Sequence, residues 1–329
     1  MSQTLCEHYR LRLQPFGVTP DLRFLYPSAT YLEAMATLIH GIQSARGFTA
    51  LIAGPGMGKT TLLFNLLQIL KGKAQTAFLF QSLCGVGPGE FLSAVLADLG
   101  IEDDGSNVMQ MHRKLNEYLI RESLRGQQVV VIIDEAQNLD AEVLELVRML
   151  SNFETPSKKL LHVILAGQPQ LVEMVNSPRL AQLRQRISTV ARLSPLSVRE
   201  TCEYIEHQLR QAGQAAGKPC FTNQACAMIA RESEGVPRNI NNLCFNGMCL
   251  GWTLKRPIVD ELMIQDVVHD QDLMGLTAAP AKCGERWGHP ARFSGDMCAS
   301  GELRHEVLFT IAVLASLAER KLARFESAV

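Results

Sequence analysis

Residues 51–61 read LIAGPGMGKTT, a run of small residues closing on Gly58-Lys59-Thr60. Phosphate binding is the chemistry that needs such a stretch. Backbone N–H groups curl around phosphate oxygens, a flexible ammonium reaches the terminal phosphates, and a hydroxyl ligates magnesium. Gly54, Gly56 and Gly58 offer unhindered backbone, with Pro55 and Met57 between them, while Lys59 and Thr60 carry the ammonium and the hydroxyl. Counted back over G-x-x-x-x-G-K-[ST], the first glycine position holds Ala53. A small side chain is tolerated there if its φ stays negative, and Gly54 next to it is placed to absorb the turn. From Thr61 onward a helix is expected, its N-terminus facing the phosphates.

A second constellation lies at 127–137, QQVVVIIDEAQ. The β-branched run predicts a strand buried on both faces, with Asp134 and Glu135 at its C-terminal end. Asp134 suits a magnesium site opposite Thr60, reached through the ion's water shell. Glu135 is a second carboxylate able to polarise an attacking water. A pair that merely caps a strand-to-helix turn is the structural alternative, and the phosphate loop upstream favours the catalytic one.

Both motifs need a sheet to hold them. The spacing predicts helices at 31–46, 61–70, 88–99, 107–124 and 140–154, the last with Asp140 as N-cap. Strands are predicted at 48–54, 76–81, 127–137, 160–168 and 186–193. Alternating strands and helices give a parallel α/β sheet covered on both faces. From Ser197 the strand signal stops. A capping box at Ser197-Val198-Arg199-Glu200 starts a helix to about 213, and three more follow at 223–234, 237–252 and 259–271. The expected organisation is an N-terminal segment and helix flanking the nucleotide site (1–47), an α/β ATPase core (48–196), a helical lid (197–274) and a linker or tail (275–329) with a final helix at 303–325.

Composition narrows the partners. With 47% hydrophobic and 20% charged residues and a net charge of −1, the chain is an ordinary globular protein without an electrostatic footprint for nucleic acid. DNA binding is therefore not favoured, although Lys158-Lys159 or Arg113-Lys114 are candidates for a local basic surface in a ring. Nine cysteines occur without C-x-x-C or zinc spacing, several (Cys202, Cys226, Cys244) within apolar helical stretches. That pattern implies a reducing, cytoplasmic setting. The N-terminus lacks a signal peptide, and the longest apolar run, 307–318, falls short of the roughly 20 residues of a membrane helix.

Lys59 and Asp134 are separated by an extra strand–helix set at 76–124, which leaves room for a strand between the two motif strands. This is the additional-strand class of P-loop NTPases, and a helical lid after the sheet is the AAA+ plan. Three more positions acquire meaning under that plan. Gln168 closes its strand where a polar side chain contacts the γ-phosphate or the water, or else is a Gln-Pro turn residue. Arg184 and Arg186 precede the last strand, where an arginine finger points at a neighbour's ATP, or else form a solvated basic helix end. Arg238 opens a lid helix, from which an arginine reaches the phosphates.

The ordered blocks LQPFGVTPDLRFLYPS, EAMATLIHGIQSARGFTALIAGPGMGKTTLL, VVVIIDEAQNL, VILAGQPQL, QLRQRI and EGVPRNINNLC resemble the ExeA/GspA-type AAA+ ATPases of the general (type II) secretion pathway. The resemblance spans roughly residues 8–272 and implies binding and hydrolysis of ATP with Mg2+. It also implies homo-oligomers with a finger acting in trans, and assembly or remodelling of a protein partner of a secretion system. Within it, Phe24 and Tyr26 lie at the pocket edge as candidates for contacting adenine, or else as buried packing. Secretion members continue into a membrane helix and a periplasmic domain, and neither is expected in the tail 275–329. The module also resembles transposition regulators of the TnsC/TniB kind, which implies ATP-dependent DNA binding as the alternative.

Overall fold

The computed structural model describes residues 2–275 apart from 80–84, 104, 106, 157, 216 and 218. The expected linker and final helix beyond 275 lie outside the described residues.

Helix α1 (Ser2–Tyr9) opens the chain, followed by α2 (Ala29–Gln43) and strand β1 (Phe48–Ile52). Then come α3 (Lys59–Leu70), β2 (Ala74–Leu79), α4 (Pro88–Asp98), α5 (Val108–Leu124), β3 (Gln128–Ile133), α6 (Ala141–Leu150) and β4 (Leu161–Gly167). Two short helices, α7 (Pro169–Asn176) and α8 (Ala181–Arg186), lead into β5 (Ile187–Arg192). The sheet is wholly parallel in the order β2-β3-β4-β1-β5. The strand between the two motif strands is thus β4, which comes later in the chain, while the extra strand β2 forms an edge.

Burial explains the order. Strands β1 and β4 are buried throughout and β3 at all but its first residue, whereas β2 and β5 alternate as edge strands do. Val129, Val131 and Ile133 face α4, α5 and α6, and Val130 and Ile132 face α2 and α3. Two apolar layers therefore sandwich one sheet. The register aligns strand ends: Ile52 pairs with Gly167, and Ile133 with both Leu79 and Leu165. Ala53, Asp134 and Gln168 leave the sheet at one edge, the carboxyl end where open α/β sheets bind ligands.

The helical part comprises α9 (Val198–Gln211), α10 (Asn223–Glu232), α11 (Pro237–Thr253) and α12 (Glu261–Gly275). The capping box is formed: Glu200 N–H donates to Ser197 Oγ at 3.2 Å, and Ser197 N–H to Glu200 Oε2 at 3.0 Å. Asp140 occupies the N-cap position of α6, but its side chain makes no capping hydrogen bond. The thiols of Cys220 and Cys226 are pushed up by burial to about 11 and about 12, so they stay protonated at neutral pH. No helix among the described residues is long and apolar enough to cross a membrane.

The N-terminal segment divides differently from its sequence pattern. Leu5, Tyr9, Leu11 and Phe16 are buried within the helical cluster, and Tyr9 Oη donates to the Met248 carbonyl at 3.0 Å. Gly251 makes room for that phenol, since a Cβ there would lie 2.2 Å from Tyr9 Oη. Helix α2, by contrast, packs against the sheet. Residues 17–28 bridge from one layer to the other.

Two buried polar residues, Thr49 and His162, sit inside the sheet. His162 of β4 shares a hydrogen bond of 3.1 Å with Thr49 Oγ1 of β1, and its Nδ1 has no partner among the described residues. Burial lowers its pKa to about 4, so the folded state holds a neutral ring where the unfolded chain protonates at about 6.5. The unfolded state binds the extra proton between those values, so His162 makes stability fall as pH drops from about 6.5 toward about 4. Between pH 7 and pH 5, denaturant unfolding of the parent should lose about 2 kcal/mol more than that of His162→Gln. Equal losses in the two proteins would show that His162 is not held neutral.

Candidate functional site

The loop after β1 has its left-handed backbone at Gly56 (φ 74°) and Gly58 (φ 83°), and not at Gly54. The expected role of Gly54 is therefore corrected. Ala53 is buried and its N–H donates to the Gly167 carbonyl at 3.0 Å, extending the sheet by one bond. That conformation needs no glycine, which explains the alanine. Helix α3 begins at Lys59, two residues before the expected start, with Gly58 as its N-cap.

The helical part rests directly on this loop. The Arg238 N–H donates to the Gly56 carbonyl at 3.2 Å, and a Cβ on Gly56 would lie 2.8 Å from Arg238 Cβ. Gly235 (φ 70°) passes so close to the connection before α9 that a Cβ there would lie 2.0 Å from the Leu196 carbonyl oxygen. Glycines in the block EGVPRNINN and in the loop thus let two backbones meet.

Lys59, only 6% exposed, stands among carboxylates. Its Nζ donates to Glu135 Oε1 at 2.5 Å and lies 3.6 Å from Asp134 Oδ1. Thr60 Oγ1 donates to Asp134 Oδ2 at 2.9 Å, and Asp134 Oδ1 accepts the Glu135 N–H at 2.9 Å. Glu135 has a left-handed backbone (φ 52°, ψ 39°), an uncommon conformation for a residue with a side chain and one that clusters at functional sites. Its Oε2 accepts from Gln137 Nε2 at 2.5 Å and from Gln168 Nε2 at 3.1 Å. Burial alone raises this carboxyl. The hydrogen bonds from Lys59, Gln137 and Gln168, with the ammonium charge, outweigh it and hold the group below the usual carboxylate range.

These groups border a cleft of about 750 Å³ between the sheet edge, the helical part and the N-terminal segment. Residues 54–61, Glu135, Gln168 and Arg238 line it, with Phe24 and Tyr26 from the N-terminal segment. Asp134 lies behind Thr60, buried. Tyr26 is also packing: its hydroxyl donates to Glu203 Oε2 at 2.9 Å and its ring meets Tyr204 edge-on. The Phe24 carbonyl accepts from Gln208 Nε2 at 2.9 Å. Arg184 and Arg186 are exposed and stand apart from the cleft, and Arg186 Nη2 donates to Asn152 Oδ1 at 3.4 Å. Gln137 is absent from the residues expected at the site, yet it contacts two of them. Its signal was an amide two residues beyond a paired acid at a strand end.

Residues 42–175 match the AAA domain family. The General secretion pathway protein A of Aeromonas hydrophila is 35% identical over 239 residues, covering 72% of this chain and 43% of that protein, so the match spans less than half of the relative's length. Among solved structures, Cdc6p from Pyrobaculum aerophilum aligns with a TM-score of 0.56 at 16% identity, over 74% of this chain and 67% of that one. The Aeropyrum pernix ORC2 protein in its ADPNP–ADP complexes gives 0.56 at 15% identity, over 77% and 72%. At such identities the structural likeness concerns the fold alone. With a phosphate-loop geometry at the carboxyl edge of a five-stranded parallel sheet, an AAA domain match at residues 42–175 and 35% identity to General secretion pathway protein A over 72% of this chain, the chain belongs to the ExeA/GspA-type AAA ATPases.

Proposed function

We propose that the cleft binds ATP with Mg2+ and hydrolyses it, and that turnover drives assembly or remodelling of a protein partner, one belonging to a secretion system. The observation that carries the ATPase part is the contact of Lys59 with Glu135 at 2.5 Å beside the contact of Thr60 with Asp134 at 2.9 Å. An ammonium and a hydroxyl from the phosphate loop meet the two carboxylates that hydrolysis requires.

Thr60 and Asp134 suit a small hard cation. Both offer oxygen, and a magnesium ion in nucleotide sites needs only one or two protein oxygens, the rest coming from phosphates and water. Mg2+ would there neutralise charge on the β- and γ-phosphates. Lys59 moves from Glu135 to the phosphates, where its charge offsets theirs. Glu135 then has Oε1 available to take a proton from water as the water oxygen bonds to the γ-phosphorus and the bridge to the β-phosphate breaks, releasing ADP and phosphate. Gln168, whose amide reaches both Glu135 and the cleft, orients the water or the γ-phosphate. Arg238 reaches the phosphates from the helical part, and Phe24 and Tyr26 border the base.

Lys59→Ala should remove nucleotide binding, at least about 100-fold in affinity, because it deletes the buried cation. Glu135→Gln should bind ATP but turn it over about 100-fold or more slowly, since an amide accepts no proton. Binding of a labelled ATP analogue measured beside phosphate release checks both. Parental affinity in the first or parental turnover in the second would remove that residue from its role.

Arg184 and Arg186 stand away from their own cleft, so a finger role for either requires a neighbouring subunit's ATP. Specific activity should then rise with protein concentration. Arg186→Ala should keep nucleotide binding and lose turnover, and mixing it with Lys59→Ala should restore part of the activity, because the latter still donates an intact finger. Concentration-independent turnover without rescue would point to an ATPase that works as a monomer.

A further inference from the structure

Gln137 lies outside the cleft lining but contacts two residues within it. Its Oε1 accepts the backbone N–H of Gln168 at 3.1 Å, and its Nε2 donates to Glu135 Oε2 at 2.5 Å. A backbone N–H can only donate, so it determines which end of the amide is oxygen and turns the NH2 group toward the carboxylate. The neighbouring strand end is built to admit this side chain. A Cβ on Gly167 would lie 2.7 Å from Gln137 Oε1 and 2.8 Å from Leu171 Cδ2, so a side chain there would displace this amide. Gln137 belongs to a single 3-10 turn, Ala136–Asn138, which the left-handed Glu135 precedes. Its amide therefore ties that turn to the N-terminus of α7.

We propose that Gln137 is a positioning residue for Glu135. It anchors Oε2 and so leaves Oε1 as the oxygen that meets the attacking water once the phosphates draw Lys59 away; this rests on Glu135 being the base. Three donors hold the carboxylate, and they are not equivalent. Lys59 and Gln168 also line the cleft, so both can be recruited by a bound nucleotide. Gln137 makes both of its contacts within the protein, and its anchor persists through the reaction. Without it the carboxylate rotates about its terminal torsion, which is broad and weakly restrained.

The test is a double-mutant cycle between Gln137→Met, which keeps side-chain bulk and loses both hydrogen bonds, and Glu135→Gln. Gln137→Met should lower kcat about 10- to 100-fold, the scale of a reacting group displaced by about an ångström. KM, and the affinity for a fluorescent ATP analogue measured in EDTA, should stay within about twofold of the parent. In the Glu135→Gln background the same change should lower turnover by no more than about twofold, because the group it positions is gone. Gln137→Glu, of the same shape, sets a carboxylate against a carboxylate and should be at least as slow as Gln137→Met. It serves as the second variant should the methionine disturb folding.

Equal fold-losses in both backgrounds would mean that Gln137 acts on the fold and not through Glu135. A loss of EDTA affinity parallel to the loss of kcat, or parental turnover in Gln137→Glu, would equally overturn the assignment. If Glu135→Gln itself turned over like the parent, Glu135 would not be the base and the positioning role would fall with it. A slow Glu135→Gln beside a fast Gln137→Met would sink the positioning role alone.

Discussion

An ammonium removed from water must find negative charge, and the site is arranged around that demand. Lys59 is 6% exposed, and taking an unpaired cation out of water costs several kcal/mol even after relaxation. Here its counter-charges are Asp134 and Glu135, at 3.6 and 2.5 Å. They come from β3, a strand that does not touch β1; β4 lies between them. The pairing therefore depends on the register of three strands, since a slip of one residue in β3 would turn its side chains to the opposite faces. Strand β4, buried throughout and paired with β1 on one side and β3 on the other, holds that register. Core packing and site electrostatics are in this sense one constraint.

The same constraint explains what the amino-acid pattern made legible. A loop that binds phosphate announces itself because backbone exposure demands glycine and charge demands lysine, and both are visible as residue types. The buried strands were visible because burial on two faces requires unbroken apolar runs. The wholly parallel sheet and the helical region after it followed from the order of those patterns. Less visible was which strand stands between β1 and β3. Sequence order offered β2, and burial placed the fully buried β4 there instead, leaving β2 at an edge where polar residues alternate.

The features that escaped notice share a cause: they depend on contacts between segments distant in sequence. Helix α1 has little local signal, and its partners, such as Met248, lie more than two hundred residues away. Gly54 looked like the turn glycine because it follows Ala53, but the turn falls where the helical part presses on the loop, at Gly56 against Arg238. Gln137 was not singled out because its meaning comes from the Gln168 backbone, just past the end of another strand. Arg184 and Arg186 were picked out by position, and their exposure leaves a role in catalysis dependent on a second subunit.

The backbone junction between loop and helical part has a further consequence for how nucleotide and conformation are linked. Arg238 is held to Gly56 by its own N–H, and Gly235 is held to Leu196 through the bond from Leu196 N–H to the Gly235 carbonyl at 2.9 Å. Neither glycine can acquire a side chain without pushing the two parts apart. Two contacts made by main chain, one on the phosphate loop and one on the connection from β5, leave the helical part little freedom to move unless the loop moves too. In the proposed reaction the loop gains phosphates at Lys59 and loses the tie from Lys59 to Glu135. That exchange occurs one helical turn or less from Gly56, so its effect passes through backbone rather than through flexible side chains. Under the proposed function, helices α9 to α12 are thereby the element that carries nucleotide state toward a partner.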